Sequence, residues 1–381
     1  MKICLSTVLL FLTTITFSQN KDSIDQEMTL LFLGDIMGHS PQITSAYDES
    51  SKAYDYHDVF KYVEPIISKP DYAIGNLEVT LAGPPYKGYP QFSSPDALAV
   101  ACKDAGLDVL VTSNNHSCDR GGDGIIRTIQ ILDSLEIMHT GTFCDMEERQ
   151  KNHPLFIEND CMRIAILNYT YGTNGLPYPE PTVVNMIDKD LMKADLEIAK
   201  SKNVDKIIVV THWGSEYKLQ PVQYQIDHGK FLFENGADII IGAHPHVLEK
   251  MVWEKSESEE GKEQLIVYSL GNFVSNQRKR YTDGGAMIQL TLKKEGNTTR
   301  IKDAGYYLTW VYTPEESGKK KYYVLPAAQF ENNPEFFDNA ESYNKMNSFI
   351  QDSRELFGNE NLNVPEYIYE NGNWSIQVST E

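Results

Sequence analysis

The feature that most constrains this chain is a series of short apolar runs, each of which stops at a polar cluster. Thr29–Leu33 stops at Gly34-Asp35, and Tyr72–Ile74 at Gly75-Asn76-Leu77-Glu78. Val109–Thr112 stops at Ser113-Asn114-Asn115-His116-Ser117-Cys118-Asp119, Arg163–Leu167 at Asn168, and Lys206–Val210 at Thr211-His212. Asp238–Ile241 stops at Gly242-Ala243-His244-Pro245-His246, and Leu265–Ser269 at Leu270-Gly271-Asn272. Runs this short, rich in Val and Ile and without alternation, suit strands buried on both faces. Helical spacing between them predicts helices over Asp96–Ala105, Gly124–Leu135 and Asp190–Lys200, the last opening with an acidic cap. Strand and helix in alternation predict an α/β sheet, and such sheets place ligands beyond the carboxyl ends of their strands. The Asp, Asn, Glu and His residues of this chain fall there.

Charge and length narrow the reading. The 381 residues include 54 Asp and Glu against 34 Lys and Arg, a formal net charge of −20. That balance excludes a general nucleic-acid binder, because it repels phosphate backbones. A polyanionic substrate stays open, since bound cations reverse the field locally. Residues 1–18 read as a signal peptide: Lys2, an apolar and hydroxyl-rich stretch from Ile3 to Phe17, and small residues Thr16 and Ser18 before Gln19. The stretch is shorter than the roughly 18–20 residues that span a bilayer. The expectation is an exported protein, periplasmic, at the cell surface or secreted, with no transmembrane segment after signal removal.

The cysteines beyond the leader, Cys102, Cys118, Cys144 and Cys161, form no CxxC pair and read as buried or free thiols. Lys255–Lys262 reads as a charged loop, residues 281–313 as β-hairpins, and Gly121-Gly122-Asp123-Gly124 as a turn leading into the helix at Ile125. A main domain over 19–325 is followed by an extension over 326–381, with a short helix around Ala340–Leu356. No P-loop, no GxGxxG before a helix and no GxSxG elbow occurs.

The clusters carry the chemistry. Asp35, just after a buried strand, can ligate a metal from a fixed position; taken alone, it reads better as a helix cap or turn residue. Asn76 and Glu78 stand two apart, so in extended chain they share one face, and Glu78 is the better anion. Asn115 offers a carbonyl ligand, and the adjacent His116 can serve as an acid oriented by Asp119, or the segment is an Asn-rich turn. His212 alone fits a core histidine as well as a ligand. His244 and His246, separated by one residue at a strand end, form a compact nitrogen donor pair that a core role explains poorly. Together these oxygens and nitrogens suit Mn, Fe or Zn better than the oxygen-only sites of Ca or Mg.

In this order, GDIM, GNLE, SNNHSCDRGGDG, THWGSEY, GAHPHV and YSLGNF resemble the signature of the capsule-synthesis protein CapA family, over roughly Met28 to Leu292. That family is linked to bacterial poly-γ-glutamate capsules and is similar to the calcineurin-like metallophosphoesterases. The resemblance implies a four-layer α/β/β/α sandwich of the metallo-dependent phosphatase type, with one or two divalent metal ions above the sheet. Asp35 matches the first motif, Asp-x-His, whose His place here holds Met37. Gly75-Asn76, with Glu78 nearby, stands where Gly-Asp is usual. Asn115 and His116 match Gly-Asn-His, and His212 fits the next His motif. His244 and His246 match the closing pair, with Ala243 before them.

The implied chemistry is attack by a metal-held hydroxide on phosphorus or a carbonyl carbon. His116, oriented by Asp119, would protonate the leaving group, while Glu216 and Tyr217 position substrate and Arg120 holds an anionic group. The implied function is hydrolysis of a phosphoester or amide bond in capsule or cell-surface polymer metabolism. The expected partners are a cell-surface polymer or anionic small-molecule substrate and the capsule synthesis machinery. The rival reading is a non-catalytic polymer-binding or assembly protein that keeps the fold, favoured by Met37 as His116 favours the enzyme.

Overall fold

The computed structural model describes residues 26–255 and 262–377. The leader at 1–18 therefore lies outside the described residues, as does most of the charged loop at 255–262. In chain order the framework strands are β1 (Glu27–Ile36), β2 (Tyr72–Leu77), β3 (Val109–Val111), β4 (Met138–Thr140), β5 (Leu155–Glu158), β6 (Arg163–Thr170) and β7 (Lys206–His212). They continue with β8 (Ile239–Ala243), β9 (Leu248–Lys255), β10 (Glu263–Leu270), β11 (Asn272–Val274), β12 (Gly284–Glu295), β13 (Thr298–Tyr312) and β14 (Tyr323–Pro326).

Two sheets result. The first runs β14-β13-β12-β1-β2-β3-β4, with β11 pairing beside β1; the second runs β9-β10-β8-β7-β6-β5. Within the first sheet β1, β2, β3 and β4 are parallel, and within the second β6, β7, β8 and β10 are parallel.

The two-sided burial expected from unalternating runs is seen side chain by side chain. Leu30 and Phe32 of β1, Ile74 and Val109 meet Ile164, Ile166, Ile208, Val210 and Ile239 of the other sheet in one central core. Leu31 and Leu33, on the opposite face of β1, pack with Leu98 and Cys102 of helix α1 (Ala97–Asp104) and with Leu132 of α2 (Gly121–Ser134). On the far side, Ala165, Leu167, Ile207 and Val209 pack with Met192, Leu196 and Ala199 of α3 (Lys189–Ser201) and Leu232 of α4 (Gln223–Glu234). The layers are helix, sheet, sheet, helix.

Several boundaries differ from expectation. Gly121, Gly122 and Gly124 lie in the first turn of α2 rather than in a turn before it, and a glycine is required at 124 because a Cβ there would lie 2.5 Å from Arg120 Cβ. The cap of α3 is Asp188, whose carboxylate accepts from Leu191 N, rather than Asp190. Helix α4 was not anticipated; it buries only Gln225, Gly229 and Leu232, too thin a stripe to give a helical pattern. The 281–313 region is one long hairpin of β12 and β13. Helix α5 (Ala340–Glu360) is longer than expected, and its Met346, Phe349, Ile350 and Phe357 join the central core. The cysteines beyond the leader are free thiols. Among the described residues, no helix is long and apolar enough to cross a membrane.

Candidate metal centre

The carboxyl ends of parallel strands from both sheets converge. Asp35, at the end of β1, stands in register with Asn76 of β2 on one side and Asn272 of β11 on the other. This close fit needs a glycine before it: a Cβ on Gly34 would lie 2.1 Å from the Gly271 carbonyl oxygen. From the second sheet, His212 ends β7 beside Ala243 of β8. His244 and His246 follow with φ of 100° and 59°, in the left-handed region that non-glycine residues avoid. Such conformations cost about 1–3 kcal/mol each and persist where the surroundings over-determine them, commonly at functional sites.

The side chains meet in a buried cluster. Asn76 Nδ2 donates to Asp35 Oδ1 at 2.8 Å, and His246 Nδ1 lies 3.1 Å from Asp35 Oδ2. His212 Nε2 lies 2.9 Å from Asn115 Oδ1 and 3.4 Å from Glu78 Oε1, while His246 Nε2 is 3.9 Å from the same Glu78 oxygen. Two sets, Asp35-Glu78-His212 and Glu78-His244-His246, each bring one ligand atom per residue within 4.8 Å of one another. Glu78 belongs to both.

Both Glu78 carboxylate oxygens, Asn76 Oδ1 and His244 Nδ1 are buried with no hydrogen-bond partner. Buried polar atoms rarely go unpaired, and each one costs about 1–3 kcal/mol. Convergent unpaired oxygens and a nitrogen are what a borderline divalent cation satisfies, so the donors present fit the metal that the sequence called for.

Electrostatics agree. Burial pushes the Glu78 carboxyl up to about 8, and the neighbouring Asp35 charge adds to this. Burial also pushes Asp35 up, but the hydrogen bond and charge of His246 outweigh it and hold Asp35 below the usual carboxylate range. Burial would lower His246, yet Glu78 and Asp35 raise it to about 9. His212 falls to about 3 and His244 well below its ordinary value, in both cases chiefly through burial. The cluster thus holds two neutral imidazoles, His212 and His244, and one whose protonated form is favoured, His246, beside crowded carboxylates.

His116 and Asp119 stand next to it. His116 Nδ1 lies 2.8 Å from Asp119 Oδ2, which also accepts from Phe92 N at 2.6 Å. The Phe92 ring packs edge-on against His116, 4.6 Å between centroids. The loop is pinned from below: Ser113 N donates to Asn168 Oδ1 and Asn114 Nδ2 to Leu77 O. Glu216 is close enough for its charge to act on Glu78, His212 and His246, and the half-exposed Tyr217 ring lies 6.2 Å from His246. Arg120 precedes α2 with Nε and Nη2 buried and unpaired.

Sequence reasoning missed three neighbours. Tyr171, just past β6, lays its ring 4.5 Å from that of His244. His39 packs on the other edge of Phe92 at 5.3 Å. Asn272 keeps Oδ1 buried and unpaired beside Asp35. Asn272 closes an apolar run, so the strand-end signal that exposed the histidines also pointed to it, whereas Tyr171 and His39 carried no such signal.

Residues 29–277, more than half of the chain, match the family described as bacterial capsule synthesis protein PGA_cap. The chain belongs to that family. A capsule biosynthesis protein CapA from Bacillus anthracis is 29% identical over 285 residues, covering 71% of this chain and 66% of the relative. A PGA biosynthesis protein CapA from Bacillus subtilis (strain 168) is 31% identical over 282 residues, covering 71% and 70%. The chain thus spans about two-thirds of the length of these relatives. Among solved structures, the NAD nucleotidase NadN of Haemophilus influenzae is similar at 14% identity and a TM-score of 0.49, covering 91% of this chain and 65% of that one. All the converging residues, from Asp35 to Asn272, lie inside the PGA_cap segment.

Proposed function

We propose that this PGA_cap family member is an exported, metal-dependent hydrolase of capsule or cell-surface polymer metabolism, of the poly-γ-glutamate type, that cleaves a phosphoester or amide bond. The observation that carries the reading is the pair of unpaired Glu78 oxygens buried among Asp35, His212, His244 and His246. These residues, with the carbonyl oxygens of Asn76 and Asn115, would hold one or two ions of Mn, Fe or Zn. When bound, such a cation supplies Lewis acidity and draws the pKa of water towards neutrality.

The chain's own residues do the rest. Asp119 accepts from the Nδ1–H of His116, fixes the ring and supports its imidazolium, which can deliver the Nε2 proton to a leaving oxygen or nitrogen. Phe92 and Tyr171 cover imidazole faces and edges and keep bulk water off them. Glu216 and Tyr217 stand where substrate would enter, and the unpaired Arg120 supplies a cation for an anionic substituent. Export rests on the leader read from the sequence, and the polymer and synthesis-machinery partners rest on the family and the names of its relatives.

The test is elemental analysis of the mature protein beside a His244→Ala, His246→Ala variant, followed by a screen of phosphoesters and γ-glutamyl polymers. About one to two equivalents of metal, lost in the variant, is the expected result. Absence of metal after reconstitution rejects the reading. One observation favours the accessory role instead: Met37, at the place of the first-motif His, is buried in the core. Unchanged cellular function in a His116→Ala strain would select that alternative.

A further inference from the structure

The loop over 275–283, between β11 and β12, is tied to the metal centre at two points. Asn272, in register with Asp35, donates through Nδ2 to Gln277 Oε1 at 3.2 Å and to Thr282 O at 2.8 Å, so both arms of the loop hang on one residue of the centre. Asn276 N donates to His39 Nδ1 at 3.3 Å, and His39 packs on the Phe92 ring that meets His116. A second segment joins the loop there. Lys320, in a short hairpin of Glu315–Glu316 and Lys319–Lys320, donates to Asn276 Oδ1 at 3.0 Å, as Tyr322 does through its hydroxyl at 2.5 Å.

Loop and hairpin carry Arg278-Lys279-Arg280 and Lys319-Lys320-Lys321. Half of these cations are already partnered: Arg280 pairs with Asp352, Lys321 with Asp58 at 2.7 Å, and Lys319 donates to Tyr47 O. Arg278, Lys279 and Lys320 form no ion pair among the described residues. The Arg278 guanidinium carbon lies 5.5 Å from the centre of the Trp310 ring, and its Nη1 is buried with no hydrogen-bond partner. Asp283, close by, is engaged with Trp310, whose Nε1 donates to it at 2.8 Å. Lys320 Nζ stands 5.1 Å from the centre of the Tyr322 ring and bonds only the neutral Asn276; Glu315, opposite it across the hairpin, makes no ion pair with it. Lys279 is exposed. Aromatic faces hold cations without neutralising them, which leaves the Arg fork and the Lys ammonium free for an incoming anion. The three cations rest on separate supports, Trp310, Tyr322 and solvent, which suits single charges spaced along a chain better than one multiply charged group. With a net charge of −20, the molecule as a whole repels such a chain, so this patch is where it is drawn in.

We propose that Arg278, Lys279 and Lys320 form a docking subsite for the carboxylates of a γ-glutamyl polymer and hold that chain beside the metal centre. The choice of polymer rests on the proposed function; the subsite itself rests on the unpaired cations and on the bonds from Asn272 and His39 that fix their loop to the centre.

The test is calorimetric titration of the full chain at low salt with poly-γ-glutamate, poly-α-glutamate and polyphosphate of matched length. The titrations are repeated on two variants. Arg278→Gln, Lys279→Gln, Lys320→Gln neutralises the patch, whereas Lys279→Glu, Lys320→Glu changes only exposed side chains and leaves Arg278 on Trp310. Saturable binding of poly-γ-glutamate is expected, weakened about tenfold or more in either variant and weakened in wild type by added salt. The proposal is overturned if poly-γ-glutamate does not saturate, if both variants bind it as wild type does, or if poly-α-glutamate or polyphosphate binds more tightly. Repeating the titration after chelation and on the His244→Ala, His246→Ala variant separates this subsite from the hydrolase. Polymer binding that persists without metal, with nothing hydrolysed by the loaded protein, keeps the subsite and rejects the hydrolase; metal-dependent turnover of phosphoesters with no polymer binding does the reverse.

Discussion

Two buried polar clusters lie close together in this molecule, and only one of them is complete. In the first, Arg149 Nε donates to Asn185 Oδ1 at 2.6 Å and its Nη2 to Asp195 Oδ2 at 2.5 Å. Tyr169 donates to the same carboxylate at 2.8 Å, and His153 stands 3.3 Å from it while its Nδ1 meets Thr140 Oγ1. No buried nitrogen or oxygen of these residues lacks a partner. In the second, the metal centre, Glu78, Asn76 and His244 all hold unpaired atoms, and two histidines are held at positive φ. Equal burial, opposite completeness: the first cluster is finished by the fold, whereas the second is finished only by something the chain does not contain. The two are joined, because Ser113 Oγ donates to Asn185 O and so the satisfied network holds the loop that carries His116.

That contrast can be broken from either side. Replacing His116 by alanine removes the proposed proton donor while leaving the candidate metal ligands in place. Turnover of the substrate found in the screen is expected to fall about 10²–10⁴-fold, roughly 3–5 kcal/mol of barrier, with metal content unchanged and stability lower by about 1–3 kcal/mol because buried Asp119 loses a partner. A fall in metal content would move His116 from proton transfer to ligation.

Asp195→Asn attacks the finished cluster instead. Leaving Arg149 buried without its counter-charge is expected to cost about 3–5 kcal/mol in urea unfolding. The pH dependence has a definite sign. Burial raises the Asp195 carboxyl, but His153 and Arg149 outweigh it and hold its folded pKa below the ordinary value. Its contribution is therefore complete above the unfolded pKa near 4 and disappears as pH falls through the folded value. Wild type should lose stability below about pH 4 more steeply than the variant. Parallel profiles would show that this carboxylate adds nothing in the folded state.

The smallest effect sharpens the comparison most. Glu78→Gln removes a carboxylate that burial disfavours, so the metal-stripped variant should be as stable as stripped wild type at pH 7, within about 1 kcal/mol. The same variant should lose most of its metal by elemental analysis. Substantial destabilisation with metal retained would make Glu78 a structural residue like Asp195.

Much of this was legible in the chain. Burial on both faces, as for Leu30 to Leu33 and Ile207 to Val210, removes alternation from a strand, so the runs themselves announced two covered sheets. Abrupt polar stops then marked Asp35, Glu78, Asn115, His116, His212, His244 and His246. Helix α4 was not legible, because two of its three buried residues are Gln225 and Gly229, which carry no apolar signal. Tyr171 and His39 were not legible as site residues, because an aromatic or a lone histidine gains meaning only from the ring it touches.

By itself, the sequence determined which residues end buried strands, because strand burial and strand termination are local and leave a pattern of period and punctuation. Tertiary structure decided which of those ends meet. Asp35 and Glu78 sit at strand ends of one sheet and His212 and His246 at or just past strand ends of the other, and the packing of Phe32 and Ile74 against Ile208 and Ile239 brings these ends together. It also decided that Glu78 ends up without a hydrogen-bond partner and that His244 and His246 turn through positive φ. Those are consequences of how two sheets close over a shared core, and no single stretch of chain encodes them.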